Sequence, residues 1–155
     1  MSGDFIKVEI DDHAIREALN RLQAHAGNIE PALVDISEYL TESTKQRFID
    51  GKAPDGTAWE PNSDYTLSRK KGDKPLIGES KALSTQFSGE ITANALLFGS
   101  PMEYAAVQQF GAKKHSFTGG KSPWGDIPAR PFLGISNEDE DVILEIIKEY
   151  IDGDL

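Results

Sequence analysis

Leu83–Ser100 reads LSTQFSGEITANALLFGS. Two short strand-like runs, LSTQFSGEIT and ALLFGS, flank the turn-like Ala93-Asn94-Ala95, so the stretch reads as a β-hairpin. It decides the fold because most of the remaining periodicity is helical, and helices with one apolar face need a surface to cover.

Upstream, Phe5, Ile6, Val8 and Ile10 alternate imperfectly with Lys7 and Glu9 and predict a short strand. Asp11 or Asp12 can then cap a helix in which Ala14, Ile15, Ala18, Leu19 and Leu22 recur at helical spacing, ending near Gly27. Pro31 suits the first turn of a second helix. Its stripe is Leu33, Ile36, Leu40 and Phe48, and Gly51 stops it. Downstream of the hairpin, Pro101 opens a short helix, MEYAAVQQF, closed by Gly111, with Tyr104 and Phe110 expected to pack inward. Ile127–Leu133 is extended, because Pro128 and Pro131 bar a helix. Two prolines suit a strand at a sheet edge, where a neighbouring subunit could add its own strand. Asn137 can cap a last helix with an acidic first turn, Glu138-Asp139-Glu140-Asp141, read as ordinary solvated capping. Its apolar face is Val142, Ile143, Ile146, Ile147, Tyr150 and Ile151. The order predicts an α+β fold: a small antiparallel sheet packed against two or three helices, with two long loops at about 52–80 and 112–126, in one domain spanning 1–155.

The chain has 155 residues, 38% hydrophobic and 27% charged, which suits one soluble globular unit. No cysteine is present, which excludes disulfides, a thiol nucleophile and cysteine metal sites. No apolar run approaches the roughly 20 residues of a membrane span, and MSGDFIKVEI lacks the features of a signal peptide. The expected place is therefore a cytoplasm, or an assembly built there. The net charge of −10 is unevenly spread. Residues 137–155 hold eight acids against Lys148 alone, whereas Arg69, Lys70, Lys71 and Lys74 form one basic cluster and Lys113, Lys114 and Lys121 another. An acidic total argues against general duplex-DNA binding. The basic clusters are either solvated loop charge or a surface for an acidic partner.

Catalytic motifs are missing. His13, His25 and His115 match no metal spacing. Gly119-Gly120-Lys121-Ser122 lacks the earlier glycine of a phosphate loop, since His115 stands there. Asp55-Gly56 lacks the acidic positions of a calcium loop and reads as a turn with positive φ at Gly56. No nucleophile elbow exists, so neither an enzyme nor a cofactor or metal is expected. Trp59 is either a plug closing its loop onto the core or an anchor at an interface. Arg130, a fixed donor fork between two prolines, makes either an internal salt bridge or a contact across a subunit boundary.

Three segments in order carry a resemblance: RFIDGKAPDGTAWEPNSDYTLSRK at 47–70, EYAAVQQFG at 103–111, and IPARPFLG at 127–134 followed by an acidic helix. Together, from about Asp35 to Tyr150, they resemble the phage virion morphogenesis family, the tail-completion proteins of Mu-like phages and related prophages. The segment Gly78–Leu83 departs from the Thr-Gly-x-Leu-like stretch that is commoner there. The resemblance implies a non-enzymatic protein that completes the tail or joins it to the head as an oligomeric ring. Its partners would be further copies and tail-tube or neck proteins, and its place the virion, after assembly in the host bacterial cytoplasm. A head-assembly or neck factor is the alternative, and nucleic acid enters only as a weak contact in a ring channel. The residues expected at the partner interface are Trp59, Arg69, Lys70, Lys71, Lys113, Lys114, Arg130 and Phe132.

Overall fold

The computed structural model describes residues 6–7, 12–62, 75, 87–92, 95–102, 105–111 and 128–153, giving backbone alone at Ile6, Lys7 and Val107. The elements are β1 (Ile6–Lys7), α1 (His13–Ala26), α2 (Glu30–Asp50), β2 (Ser88–Ile91), β3 (Leu96–Ser100), α3 (Ala105–Phe110) and α4 (Asn137–Asp152). The expected α+β class holds.

Each long helix starts and stops for a local reason. Asp12 accepts the Ile15 N–H at 3.0 Å and caps α1, and Gly27 ends it at φ 77°. The Asn28 side chain accepts the Glu30 N–H at 3.1 Å at the start of α2, where Pro31 occupies the first turn. Gly51, at φ 67°, returns its N–H to the Arg47 carbonyl and ends that helix. The cap of α4 is Ser136, one residue before the expected Asn137, which is instead the first helical residue. Ser136 and Asp139 form a reciprocal capping box.

The sheet is antiparallel with order β1-β3-β2. The hairpin pairs Ile91 with Leu96 and Ser88 with Gly99, closed by the Thr92 N–H on the Ala95 carbonyl at 2.9 Å. It lies against α2 so closely that a Cβ at Gly89 would collide with the Ser37 hydroxyl. Among the described residues, 128–133 join no strand ladder, unlike the edge strand expected there.

Two apolar clusters result. Leu22, Ile29, Ala32, Leu33, Ile36, Leu40, Ile143 and Ile147 form the first, between α1, α2 and α4, with the hairpin residues Ile91, Leu96 and Phe98 against it. The second gathers Phe48, Ala53, Trp59, Ala105, Phe132 and Leu133, with Phe87 and Met102 beside them. α2 serves both, with the whole expected stripe buried. Phe110 departs from expectation: it ends α3 with 64% of its surface exposed, not packed inward. Tyr104 lies outside the described residues.

Residues 52–62, the start of the long loop expected at about 52–80, are tightly folded. Ala53 N–H bonds the Thr57 carbonyl, Gly56 N–H the Ala53 carbonyl and Trp59 N–H the Gly51 carbonyl, all at 2.8–2.9 Å. Asp55 accepts the Thr57 N–H at 2.9 Å, and Gly56 takes the positive φ of 90° read from the sequence. The remainder of the 52–80 loop, apart from Pro75, and all of 112–126 lie outside the described residues.

Candidate functional site

Where α2, the 52–62 turn, α3 and the start of α4 converge, residues 130–133 are held by side chains from α2, the turn and α3. Trp59 donates its indole N–H to the Pro131 carbonyl at 2.8 Å. Arg47 donates to the Phe132 carbonyl at 2.8 Å. Gln109 donates to the Leu133 carbonyl at 3.1 Å, and its own oxygen accepts the Phe132 and Leu133 N–H groups at 3.0 Å each. The Arg130 N–H bonds the Gln108 carbonyl at 2.7 Å. An irregular segment can be buried only when its backbone groups find partners. Here the partners are three side chains and the Gln108 carbonyl, not a sheet, which is why the stretch needs no adjoining strand.

The same knot contains a buried ion pair. Asp139 is 1% exposed and Arg47 7% exposed, and they are directly bonded. Asp139 also accepts the Tyr39 hydroxyl at 2.8 Å, the Ser43 hydroxyl at 2.6 Å and the Ser136 N–H at 3.0 Å. Burial works to raise its pKa, but the donors Ser43, Ser136 and Tyr39 and the charge of Arg47 outweigh it and hold the carboxyl below its ordinary range. For Arg47, burial is the larger influence and lowers its pKa against the pull of Asp139, though a guanidinium stays protonated. The Tyr39 phenol is pushed up to about 12, by burial and then by its bond to Asp139. The acidic first turn of α4 is therefore not uniformly solvated, as the sequence suggested: Asp139 is the hub that ties α4 to α2.

Of the residues expected at an interface, the structure brings three together and buries them inside the chain. Trp59 is 7% exposed and meets the Phe48 ring edge-on at 5.3 Å, and Phe132 is fully buried on the same Phe48 ring at 5.3 Å. The indole thus plugs its loop onto the core. Arg130 holds backbone within the described residues: its Nε donates to the Glu60 carbonyl at 2.8 Å and a terminal nitrogen to the Pro61 carbonyl at 2.9 Å. Burial lowers its pKa, opposed by the charge of Glu60. Arg69, Lys70, Lys71, Lys113 and Lys114 lie outside the described residues. Among the described residues, no three metal-ligating side chains gather, and no helix is long and apolar enough to cross a membrane.

Arg47, Gln109 and Asp139 were not singled out from the sequence. Two signals were present. Arg47 falls one turn from Thr44 and two from Leu40 in the buried row of α2, and Ser136-Asn137-Glu138-Asp139 has the spacing of a capping box.

The arrangement can clamp chain segments but shows no group aimed at a bound substrate, so comparison with known proteins carries the assignment. The model of the phage virion morphogenesis family matches residues 10–152. The chain belongs to that family. Among its relatives, the "Mu-like prophage FluMu G protein 2" of Haemophilus influenzae is 32% identical over 146 residues, covering 94% of this chain and 95% of that protein. "Tail completion protein S" of Escherichia phage P2 is 30% identical over 123 residues, 76% of this chain and 81% of its own length. The "Putative capsid assembly protein G" of Escherichia phage Mu is 31% identical over 121 residues, 75% of each. No solved structure matches the chain. The family match includes every member of the knot, from Tyr39 to Asp139.

Proposed function

We propose that this chain is a non-enzymatic structural subunit that completes the phage tail or joins it to the head, its copies closing into a ring. The observation that carries the reading is family membership along nearly the whole chain, with a relative named for tail completion at 30% identity over 81% of its length. The geometry supports it: the buried charges Arg47, Asp139 and Arg130 are engaged in holding segments together. A ring of identical copies needs a heterologous contact, one patch meeting a different patch on the next copy. The residues we assign to such contacts are the basic side chains Arg69, Lys70, Lys71, Lys113 and Lys114, together with Trp59, Arg130 and Phe132. The product is a virion component assembled in the bacterial host's cytoplasm.

The relative named for capsid assembly favours a second reading, action on the head side of the joint. Electron microscopy of particles that accumulate without the protein separates the two. Unjoined or malformed tails beside filled heads support tail completion, and empty heads support the head side. Mass measurement in solution and with purified tail tubes tests the ring. A protein that stays monomeric and never joins a tube refutes it. A mobility shift with DNA that fades with salt would instead favour a channel contact.

A further inference from the structure

We propose that the outer face of α2 pairs with the same face of a second copy of this chain, antiparallel and about a two-fold axis. The inward face of this helix, with Leu33, Ile36, Leu40, Thr44, Arg47 and Phe48, is buried against the rest of the chain. The outward face carries Val34, 43% exposed, and Ile49, 53% exposed. Glu38 and Lys45 stand between them on that face, because at about 100° per residue the four positions fall within roughly 60° of one another around the helix. Single exposed apolar residues are ordinary on a protein surface, so exposure alone carries little. The informative feature is the order of the four, which reads apolar, acidic, basic, apolar.

Val34 and Ile49 lie equally far from the point between Thr41 and Glu42, and so do Glu38 and Lys45. A two-fold axis at that point sets Val34 against the partner's Ile49 and Glu38 against the partner's Lys45, and each match occurs twice. A parallel pairing in register would set Glu38 on Glu38 and Lys45 on Lys45, which repel. The face is thus complementary in charge to its own reversed copy, and that copy is the occupant it fits. One group opposes the contact. Glu42, which lies 3.6 Å from Lys45 on the same helix, meets the partner's Glu42 beside the axis. A contact one helix wide is also small, so the pair is a transient one. A two-fold contact uses up its own face and cannot continue around a ring. The pairing is therefore separate from the ring contact proposed above, and either holds without the other.

The chain has no cysteine, so a crosslink can be placed without background. Full chains carrying Val34→Cys or Ile49→Cys are oxidised alone and as a mixture. The mixture is expected to give about tenfold more disulfide-linked dimer than either variant alone. The axis sets position 34 opposite position 49, whereas it leaves the two copies of position 34 about 22 Å apart along the helices, beyond the reach of a disulfide. Sedimentation equilibrium at low salt gives a second reading. Glu38→Lys is expected to weaken the pair by about tenfold, since the axis doubles the new repulsion. Adding Lys45→Glu to the same chain restores the order with the signs exchanged and is expected to recover most of that loss. Glu42→Gln is expected to tighten the pair a few-fold. Either cysteine variant crosslinking by itself as fully as the mixture overturns the proposal, as does a double exchange that associates no better than Glu38→Lys. A wild-type chain that stays monomeric at millimolar concentration, with no crosslink from the mixture, also overturns it, and the ring contact is then still judged with tail tubes.

Discussion

Replacing Asp139 by Asn is the sharpest test of the knot. The substitution keeps size and shape but leaves the Arg47 guanidinium, 7% exposed, without its carboxylate. Removing one partner of a buried ion pair typically costs about 3–5 kcal/mol, because an uncompensated charge remains inside. At this chain length each kcal/mol lowers the melting temperature by about 2–4 °C, so a fall of about 6–20 °C is expected. The double variant Arg47→Met, Asp139→Leu removes both charges and should be far less damaged than the two single losses combined. It still forfeits the Asp139 half of the α4 capping box, worth about 1 kcal/mol, and orphans the Phe132 carbonyl, worth about 1–3 kcal/mol. A total near 2–4 kcal/mol follows from those two terms. Urea unfolding followed by tryptophan fluorescence, with Trp59 as a reporter inside the second cluster, gives all the values in one cycle. The sign of the pH dependence follows from the lowered pKa of Asp139. Its contribution is present above the ordinary carboxyl value of 3.8 and is lost as pH falls below that value through the folded pKa. The wild-type midpoint should therefore lose an acid-sensitive component that Asp139→Asn lacks. A loss under 1 kcal/mol for the single variant, or additive behaviour in the double, would refute the reasoning.

Two further substitutions probe other contacts. Gly89→Ala should destabilise by about 1–3 kcal/mol through overpacking against the Ser37 hydroxyl, and Ser37→Ala in the same chain should recover most of that loss in thermal melts. Trp59→Phe keeps a ring on Phe48 but strands the Pro131 carbonyl, so urea titration followed by circular dichroism should show a loss of about 1–3 kcal/mol.

The helical layer was legible because its signals are local. Caps, closing glycines and apolar spacing fixed α1, α2 and α4 to within a residue or so, and the hairpin emerged at its expected place. The turn at Asp55-Gly56 was equally readable, since glycine there answers a backbone need. The knot was not readable by the same means. Gln109 and Arg47 look like ordinary polar helix residues until residues 130–133 arrive beside them, and Asp139 looks like one carboxylate among four. Two prolines at 128 and 131 correctly signalled a stretch that is not helical, but not whether strands or side chains would satisfy it. Phe110 shows the converse, an aromatic on a short helix that spacing alone placed inside and the structure places outside.

The bonds from Tyr39, Ser43 and Arg47 to Asp139 bridge 92 to 100 positions along the chain. During synthesis, the second helix emerges long before the fourth exists, and its arginine must wait in water for a counter-ion still to be made. Closure of the knot is therefore gated by the emergence of α4, as expected where distant contacts dominate. A polypeptide cut short before Asp139 would leave Arg47 without its carboxylate and the knot unsealed.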